Sequence, residues 1–213
     1  MNAQSEKLDA SRAVLEFHNR VAMNDGALNC QYQNKRSDIE DSVLEVKSAN
    51  GAPIKIFGLL CYPDQHRSTS VFYRVEKNKN KPANNRFSIQ IVNFQTTRNG
   101  VEFNSTKTLL NADIDFENKT VTSEYLAPHF ISCGFSNTYI WDGDVFSLSL
   151  ARAKPCCKPL QQDVENQVDP LCKKKYKAPK WDGSEEDDKL IDEMEQNEEA
   201  EFPVIFSATS KKN

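Results

Sequence analysis

Glycine, long apolar runs and histidine are all scarce in this chain. Seven glycines occur among 213 residues. No two lie close enough for a P-loop or a G-x-G-x-x-G turn, which excludes nucleotide binding through a glycine-rich phosphate cradle. No stretch approaches the roughly 20 apolar residues of a bilayer-crossing helix, so no membrane span is expected. At 38% hydrophobic and 27% charged residues, the chain is polar but long enough to bury a core.

The scarcity of histidine leaves little basis for catalysis. Of the three histidines, only His66 has an aspartate and serines beside it, namely Asp64, Ser68 and Ser70. Residues this close on an extended segment rarely form a Ser-His-Asp triad, and the chain has no G-x-S-x-G elbow. No catalytic residue and no cofactor are therefore predicted.

The glycines that are present mark turns, because most of them follow Asn or Asp. Such pairs tolerate the positive φ angles that a type I′ turn requires at both central positions. Asn50-Gly51, Asn99-Gly100 and Asp142-Gly143 lie between segments with period-2 alternation and many β-branched or aromatic residues. This pattern predicts three β-hairpins.

The predicted fold class is mainly β, with antiparallel, hairpin-built sheets that form a sandwich or an open barrel. An amphipathic helix precedes them, because Val14, Phe17 and Val21 share one helical face. The predicted organisation is an N-terminal helix (1–26), an antiparallel β body (27–157), a polar loop with an acidic helical insertion (158–201), and a terminal strand and tail (202–213).

The acidic residues are concentrated near the C-terminus. Residues 182–201 contain eleven acidic residues and one base, Lys189. The whole chain has 31 acidic and 27 basic residues and a net charge of −4, so the remainder has 20 and 26, a charge of +6. Either these are two solvated surfaces, or the acidic helix predicted over 184–199 covers a basic face or competes with an anionic ligand for that face.

An even number of cysteines in a β-rich chain predicts disulfides and an oxidising compartment. The six are Cys30, Cys61, Cys133, Cys156, Cys157 and Cys172. They allow fifteen pairings, and twelve remain because the adjacent Cys156 and Cys157 are too close to pair with each other. We expect Cys30 to pair with Cys61, and Cys133 and Cys172 each to pair with one of the neighbours. A structural zinc site is the alternative, although it favours C-x-x-C pairs, which are lacking.

The N-terminal residues bear on the compartment. Residues 1–5 are polar and lead directly into the predicted helix, so they do not resemble a secretory leader. Either the protein is cytosolic or a leader has been removed ahead of Met1, and the cysteines favour removal. The expected location is therefore periplasmic or secreted.

A run of motifs between residues 110 and 157 resembles a known family. The order is Cys133-Gly134, then Trp141-Asp142-Gly143, then Phe146-Ser147-Leu148, then Cys156 or Cys157. It resembles the C-terminal half of an uncharacterised family of exported bacterial proteins, a domain of unknown function. The resemblance implies a periplasmic or cell-envelope protein with a disulfide near the Trp-Asp-Gly hairpin. It implies no assigned activity.

Trp141 and the lysines Lys173, Lys174 and Lys175 are the candidate binding residues. Trp141 could stack on a ligand, although a Trp before a tight turn is more often a packing anchor. The lysine run contains one aromatic neighbour and belongs to no recognisable nucleic-acid-binding fold, so nucleic acid is not the expected partner.

A calcium loop is the candidate metal site. Acidic and amide residues alternate from Asn111 to Glu117, but Phe116 stands where such a loop needs glycine. A strand with one polar face explains the same alternation, so no metal site is predicted.

Two functions remain open at the level of sequence. The first is a non-enzymatic envelope protein that binds a protein or glycan partner, for example an inhibitor of a cell-wall hydrolase; that example is an analogy of class alone. The second is a metal-dependent or cysteine-dependent hydrolase, or a cytosolic zinc protein, which would use reduced cysteines or Asp113 and Asp115. Nothing in the sequence indicates an oligomeric state.

Overall fold

The computed structural model describes residues 3–22, 28, 43–63, 68–78, 81, 86–97, 100–127, 130, 133–159, 167–168, 172, 189 and 202–208. These residues form one helix and twelve strands, which agrees with the predicted mainly β class. The elements are α1 (Ala3–Ala22), β1 (Val43–Lys47), β2 (Pro53–Pro63), β3 (Ser68–Lys77), β4 (Phe87–Ile91), β5 (Phe94–Thr96), β6 (Asn104–Thr106), β7 (Thr108–Leu110), β8 (Ala112–Asp115), β9 (Thr120–Leu126), β10 (Gly134–Trp141), β11 (Phe146–Lys154) and β12 (Val204–Ser207).

The strands form two five-stranded antiparallel sheets and a two-stranded ribbon. The first sheet has the order β1-β2-β3-β4, and β7 also pairs with β3; the second has the order β12-β11-β10-β9-β8. Among the described residues, the β5–β6 ribbon pairs with neither sheet. The predicted last strand is thus β12, which pairs with β11 at one edge of the second sheet. The open arrangement fits the predicted sandwich and is not a closed barrel.

The main core lies between the two sheets. It combines alternate residues of the first sheet, such as Ile56 and Phe72, with alternate residues of the second, such as Tyr139 and Leu148. Phe94 at the start of β5 is fully buried among them, with its ring 4.9 Å from that of Tyr139 and 5.4 Å from that of Phe72. The period-2 pattern of the sequence therefore gives each sheet one face for this core.

The helix covers the opposite face of the first sheet. Ala10, Val14 and His18, spaced four residues apart and thus on one helical face, are all buried. Ala10 and Val14 pack with Tyr73 and other residues of β2 and β3. The layers are therefore helix, first sheet and second sheet. Among the described residues, no helix has the length and apolarity that crossing a bilayer requires.

One segment of alternating residues forms two strands in the structure. The sequence pattern runs without a break over residues 87–94, but β4 ends at Ile91 and β5 begins at Phe94. After Val92, whose N–H donates to the Phe72 carbonyl at 2.9 Å, the chain leaves the edge of β3. This departure carries Phe94 into the core and leaves the other end of β3 to pair with β7.

Asn50-Gly51 and Asp142-Gly143 do mark hairpins, but neither pair forms a type I′ turn. At the β1–β2 turn the Gly51 N–H donates to the Ser48 carbonyl at 2.8 Å, and Gly51 has φ +82°. Asn50 and Asp142 are absent from the described non-glycine residues with positive φ. The first hairpin therefore has a type I turn followed by a left-handed glycine, which needs positive φ at one position only.

An aspartate side chain stabilises the β10–β11 turn. Asp142 Oδ1 accepts the N–H groups of Asp144 and Val145, each at 2.9 Å, and Oδ2 accepts the Ser147 hydroxyl at 2.6 Å. Partial burial opposes ionisation of this carboxyl, but the hydrogen bonds outweigh it, so the pKa of Asp142 is lowered. The aspartate thus acts as a turn cap.

Disulfides close the C-terminal side of the β body. Cys133 is bonded to Cys156, and Cys157 to Cys172, so each takes one of the adjacent cysteines, as predicted. Cys61 is also disulfide-bonded. The pairing of Cys61 with Cys30 stays a prediction, because Cys30 lies outside the described residues. Most of the acidic segment predicted over 184–199 also lies outside them.

The free energy of unfolding is expected to fall as the pH drops below about 6.5, the pKa of an unperturbed histidine. Burial lowers the pKa of His18, and its Nδ1 is hydrogen-bonded to the Tyr73 hydroxyl. The unfolded chain therefore binds the proton more tightly. The free energy of unfolding therefore has its full value above pH 6.5. It falls as the pH decreases from 6.5 to the lower pKa that His18 has in the folded state.

Urea unfolding at a series of pH values between 7.5 and 5 tests this linkage. The His18→Gln variant keeps a hydrogen-bonding side chain but does not titrate, so its stability should depend less on pH than that of the wild type. Equal pH dependence of the two proteins would assign the effect to other groups.

Candidate functional site

A cavity of about 280 Å³ lies between the two sheets beside the β5–β6 ribbon. Strands β3 and β7 of the first sheet, β9 and β10 of the second, and both strands of the ribbon contribute to its wall. The lining residues are Thr69, Thr96, Thr97, Thr106, Thr108, Leu109, Leu110, Ser123, Phe135 and Asn137. We call this the threonine-lined cavity. Its volume is just below the range of about 300–1,000 Å³ that is usual for small-molecule sites.

Hydrogen bonds to the backbone fix several of the hydroxyl groups in the wall. The Thr106 hydroxyl donates to the Thr108 carbonyl at 2.9 Å, where the chain passes from β6 to β7. The Ser123 hydroxyl donates to the Leu110 carbonyl at 2.8 Å and so ties β9 to the end of β7. The Thr97 hydroxyl accepts the Gly100 N–H at 2.9 Å. The wall is therefore held in place before any ligand is present.

Asn111 also holds the wall, immediately after β7. Its Oδ1 accepts the Ser68 N–H at 2.7 Å, and its own N–H donates to the Ser68 carbonyl at 2.8 Å. It has φ +40°, a left-handed conformation that asparagine tolerates better than most residues. This double link joins the end of β7 to the first residue of β3.

Asn137 differs from the other polar groups of the cavity. Its side chain is 1% exposed, and neither Oδ1 nor Nδ2 has a hydrogen-bond partner among the described residues. The Tyr139 hydroxyl lies near enough to interact with the carboxamide, but the two groups do not meet full hydrogen-bond geometry, and the hydroxyl has no other partner among the described residues. Burial raises the pKa of Tyr139, and Asn137 offsets only part of that rise. A buried carboxamide without a partner is costly, so its presence needs an explanation.

The lining of the cavity carries no formal charge. The ten lining residues are all threonine, serine, asparagine, leucine or phenylalanine. Hydroxyl and carboxamide groups can donate and accept hydrogen bonds, whereas a bound ion would have no countercharge in this wall. The arrangement suits an uncharged polar ligand.

Replacing Asn137 with leucine should raise the free energy of unfolding by about 1–2 kcal/mol, because it removes an unpaired buried polar group at similar side-chain volume. Urea denaturation measures the change. The matched control is Ser123→Ala in the same cavity, which should lower stability by about 1 kcal/mol because the Leu110 carbonyl loses its donor. A loss of stability in Asn137→Leu would show that the carboxamide is partnered in solution.

Trp141 occupies a packing position. Its indole N–H donates to the Lys47 carbonyl at 2.7 Å, its ring lies 5.3 Å from that of Phe146, and the Arg74 guanidinium lies 5.7 Å from its centre. Arg74 in turn bonds to Asp144 at 2.8 Å. Trp141 therefore links the two sheets at the β10–β11 turn, and it does not line the threonine-lined cavity.

The remaining candidate residues are not brought together at this site. Lys173, Lys174 and Lys175 lie outside the described residues. Asp115 accepts the N–H groups of Glu117 and Asn118, each at 2.9 Å, and the Asn118 side-chain amide, which holds its pKa below the ordinary value. This carboxylate therefore caps the β8–β9 turn. The described residues contain no cluster of three or more metal-binding side chains.

Sequence reasoning did not identify the threonine-lined cavity. The available signal is the closeness of four threonines in the chain, at positions 96, 97, 106 and 108. Threonine is common in any strand because it is β-branched, so the signal does not separate a cavity wall from an ordinary sheet surface.

Comparison with protein families, with curated proteins and with solved structures gives no match to this chain. The resemblance to the exported bacterial family therefore stays a prediction. The geometry of the site is the basis for a functional proposal.

Proposed function

We propose that the protein is a non-enzymatic binding protein of an oxidising, extracytoplasmic compartment, periplasmic or secreted, and that it holds a group of a protein or glycan partner in the threonine-lined cavity. The single observation that carries this proposal is the uncharged wall of the cavity, in which five threonines and Ser123 supply hydroxyl groups. A largely preformed cavity with a few placed polar groups is typical of a binding site.

The compartment is inferred from the cysteines. The described residues contain two disulfides, Cys133–Cys156 and Cys157–Cys172, and no free cysteine. Disulfides persist in secreted and periplasmic proteins and are rare in a reducing cytosol. An exported protein of this kind also accords with the family resemblance.

The composition of the cavity favours binding over catalysis. Acid–base and nucleophilic catalysis use titratable groups or a hydroxyl beside a base, and the lining residues provide none of these. The Ser123 hydroxyl donates to a backbone carbonyl. His18 belongs to α1, and its buried side chain lies between the helix and the face of the first sheet that is turned away from the cavity.

Arrays of immobilised glycans and peptides, probed with the labelled full chain, test this function. We expect the wild type to bind one of the two classes and Thr69→Leu, which removes a hydroxyl of the wall and fills part of the cavity, to lose that binding by at least about tenfold, the effect of 1.4 kcal/mol. The matched control is Thr138→Leu, the same substitution at a residue of β10 that alternation places on the face of the second sheet away from the cavity. It should bind as the wild type does.

Two results would overturn the proposal. One is the absence of binding to both arrays by the wild type. The other is equal binding by the wild type and Thr69→Leu. Circular dichroism and urea unfolding establish that each variant is folded.

A further inference from the structure

Strand β4 lies at an edge of the first sheet, and the hydrogen bonds on either side of it fix which of its backbone groups face outward. The Arg86 carbonyl accepts the Asn78 N–H at 2.7 Å, and the Val92 N–H donates to the Phe72 carbonyl at 2.9 Å. Both bonds point toward β3. Successive residues of a strand direct their N–H and C=O groups to opposite sides, so the odd-numbered residues of β4 face away from β3. These are Phe87, Ile89 and Ile91.

The outward-facing groups of β4 have no partner among the described residues. In that part of the chain β4 pairs only with β3, and no further backbone hydrogen bond reaches Phe87, Ile89 or Ile91. Their N–H and C=O groups form a row along the strand, which we call the outer edge of β4. Such a row is a template for another strand.

The side chains of the same three residues are apolar and only half-buried. Phe87, Ile89 and Ile91 pack against the core cluster beneath α1, whereas Ser88 and Gln90 on the opposite face are exposed. The strand contains neither proline nor a charged residue, the residues that commonly keep edge strands from pairing. A further strand at this edge would bury more of the three apolar side chains.

The outer strands β1 and β8 carry charges that discourage pairing. β1 has the exposed residues Glu45 and Lys47, and the Lys47 carbonyl already accepts the Trp141 indole N–H. β8 has Asp113 and Asp115, both exposed. Charged side chains of this kind protect an edge strand.

Strands β12 and β7 are restricted in other ways. Gly100 lies so close to β12 that a Cβ atom on it would be 2.1 Å from the Ile205 carbonyl oxygen, which leaves no room for a strand beside that carbonyl. β7 has only three residues and is tied to β9 by the bond from Ser123 to the Leu110 carbonyl. The outer edge of β4 is therefore the one best suited to accept a strand.

The occupant that fits this edge is the same strand of a second copy. In an antiparallel pair centred on Ile89, Phe87 of each copy lies opposite Ile91 of the other, and the two Ile89 residues face each other. All three outward residues then form hydrogen-bonded pairs, each of which exchanges two bonds. Ser88 lies opposite Gln90 of the second copy. Apolar residues thus meet apolar ones, and no like charges are opposed.

We propose that the protein forms a two-fold symmetric dimer through the outer edge of β4, in which the first sheets of two copies join into one continuous sheet. A self-complementary contact of this kind closes on itself and gives a dimer, not a fibre. The dimer goes beyond the binding function, because β4 does not line the threonine-lined cavity. A pair of short strands is expected to bury less than the roughly 1,200 Å² of a standard interface, so the dimer should dissociate on dilution.

Sedimentation equilibrium of the full chain over about a hundredfold range of concentration measures this association. We expect the mass to rise from that of one chain to that of two. The Ser88→Lys, Gln90→Lys variant should dimerise at least about tenfold more weakly, because lysines at positions 88 and 90 of the two copies then lie opposite each other. Both positions are exposed, so the fold should be kept, which circular dichroism checks.

The matched control is the Ser88→Lys, Gln90→Glu variant, which differs from the first at one position. Its opposite charges face each other across the dimer, so it should associate at least as tightly as the wild type.

Amide hydrogen exchange locates the contact. The N–H groups of Phe87, Ile89 and Ile91 should be protected at high protein concentration and exchange freely at low concentration. Those of Ser88 and Gln90 face β3 and should be protected at both concentrations.

Four other outcomes would each overturn the dimer. A wild type that stays a single chain at every concentration excludes it. Equal association by the two variants would place the contact on another surface. Species larger than a dimer would mean that the contact does not close on itself. Protection of the outward amides at the lowest concentration would show that another part of the chain occupies the outer edge of β4.

Discussion

Replacing Phe94 with alanine is expected to lower the free energy of unfolding by about 3–5 kcal/mol, the usual cost of removing a buried aromatic ring. Phe94 is 0% exposed. Its ring lies within 5.7 Å of those of three others, Phe72, Tyr139 and Phe146, so the change leaves a cavity where both sheets and the ribbon meet. Because a domain of this size has a stability of about 5–15 kcal/mol, much of it would be lost.

A matched phenylalanine provides the control for this experiment. Phe116 in the β8–β9 turn is 51% exposed, and Phe116→Ala should change stability by less than about 0.5 kcal/mol, as is usual for surface substitutions. Urea or thermal unfolding of the two variants measures the difference. Similar losses in both would mean that Phe94 does not anchor the core.

Removing the Cys133–Cys156 disulfide with a double serine substitution should lower the free energy of unfolding by about 3 kcal/mol. The bond closes a loop with a sequence separation of 23, and its loss increases the conformational freedom of the unfolded chain. Cys133 is also buried and directly precedes Gly134, which pairs with Lys154 at the end of the β10–β11 hairpin.

Hydrogen exchange distinguishes this disulfide from the second one. In the Cys133→Ser, Cys156→Ser variant, amide exchange should increase first at the Gly134 end of β10, because the bond clamps the end of that hairpin. The control is the Cys157→Ser, Cys172→Ser variant, which opens a loop with a sequence separation of 15 and should leave exchange in β10 unchanged. Equal exchange in β10 of both variants would contradict the proposed clamp.

The requirement for glycine at position 134 can be explained only from the fold. In the sequence it is part of the Cys133-Gly134 motif. In the structure it has φ +154°, and a Cβ atom on it would lie 1.8 Å from the Tyr125 carbonyl oxygen. The close approach of β10 to β9 therefore requires glycine at this position, a requirement that depends on a residue nine positions earlier in the chain.

The prediction of hairpins succeeded because turn chemistry and side-chain alternation are local. Asn50-Gly51 and Asp142-Gly143 mark turns wherever they occur between alternating segments, and the structure has hairpins at both. The turn type was not predictable to the same degree. The Ser48 carbonyl accepts the Gly51 N–H, so Asn50 and Gly51 are the last two residues of the first turn and not its central pair. In the other turn the Asp142 side chain accepts backbone N–H groups.

The sequence by itself determined the mainly β class, the N-terminal helix, the positions of the hairpins and the disulfide character of the chain, because each depends on residues close together or on composition. The tertiary structure alone decided the threonine-lined cavity and the isolation of Asn137. The cavity wall comes from six strands between residues 69 and 137. A threonine that faces solvent and one that faces a cavity follow the same alternation, so only the packing of the two sheets distinguishes them.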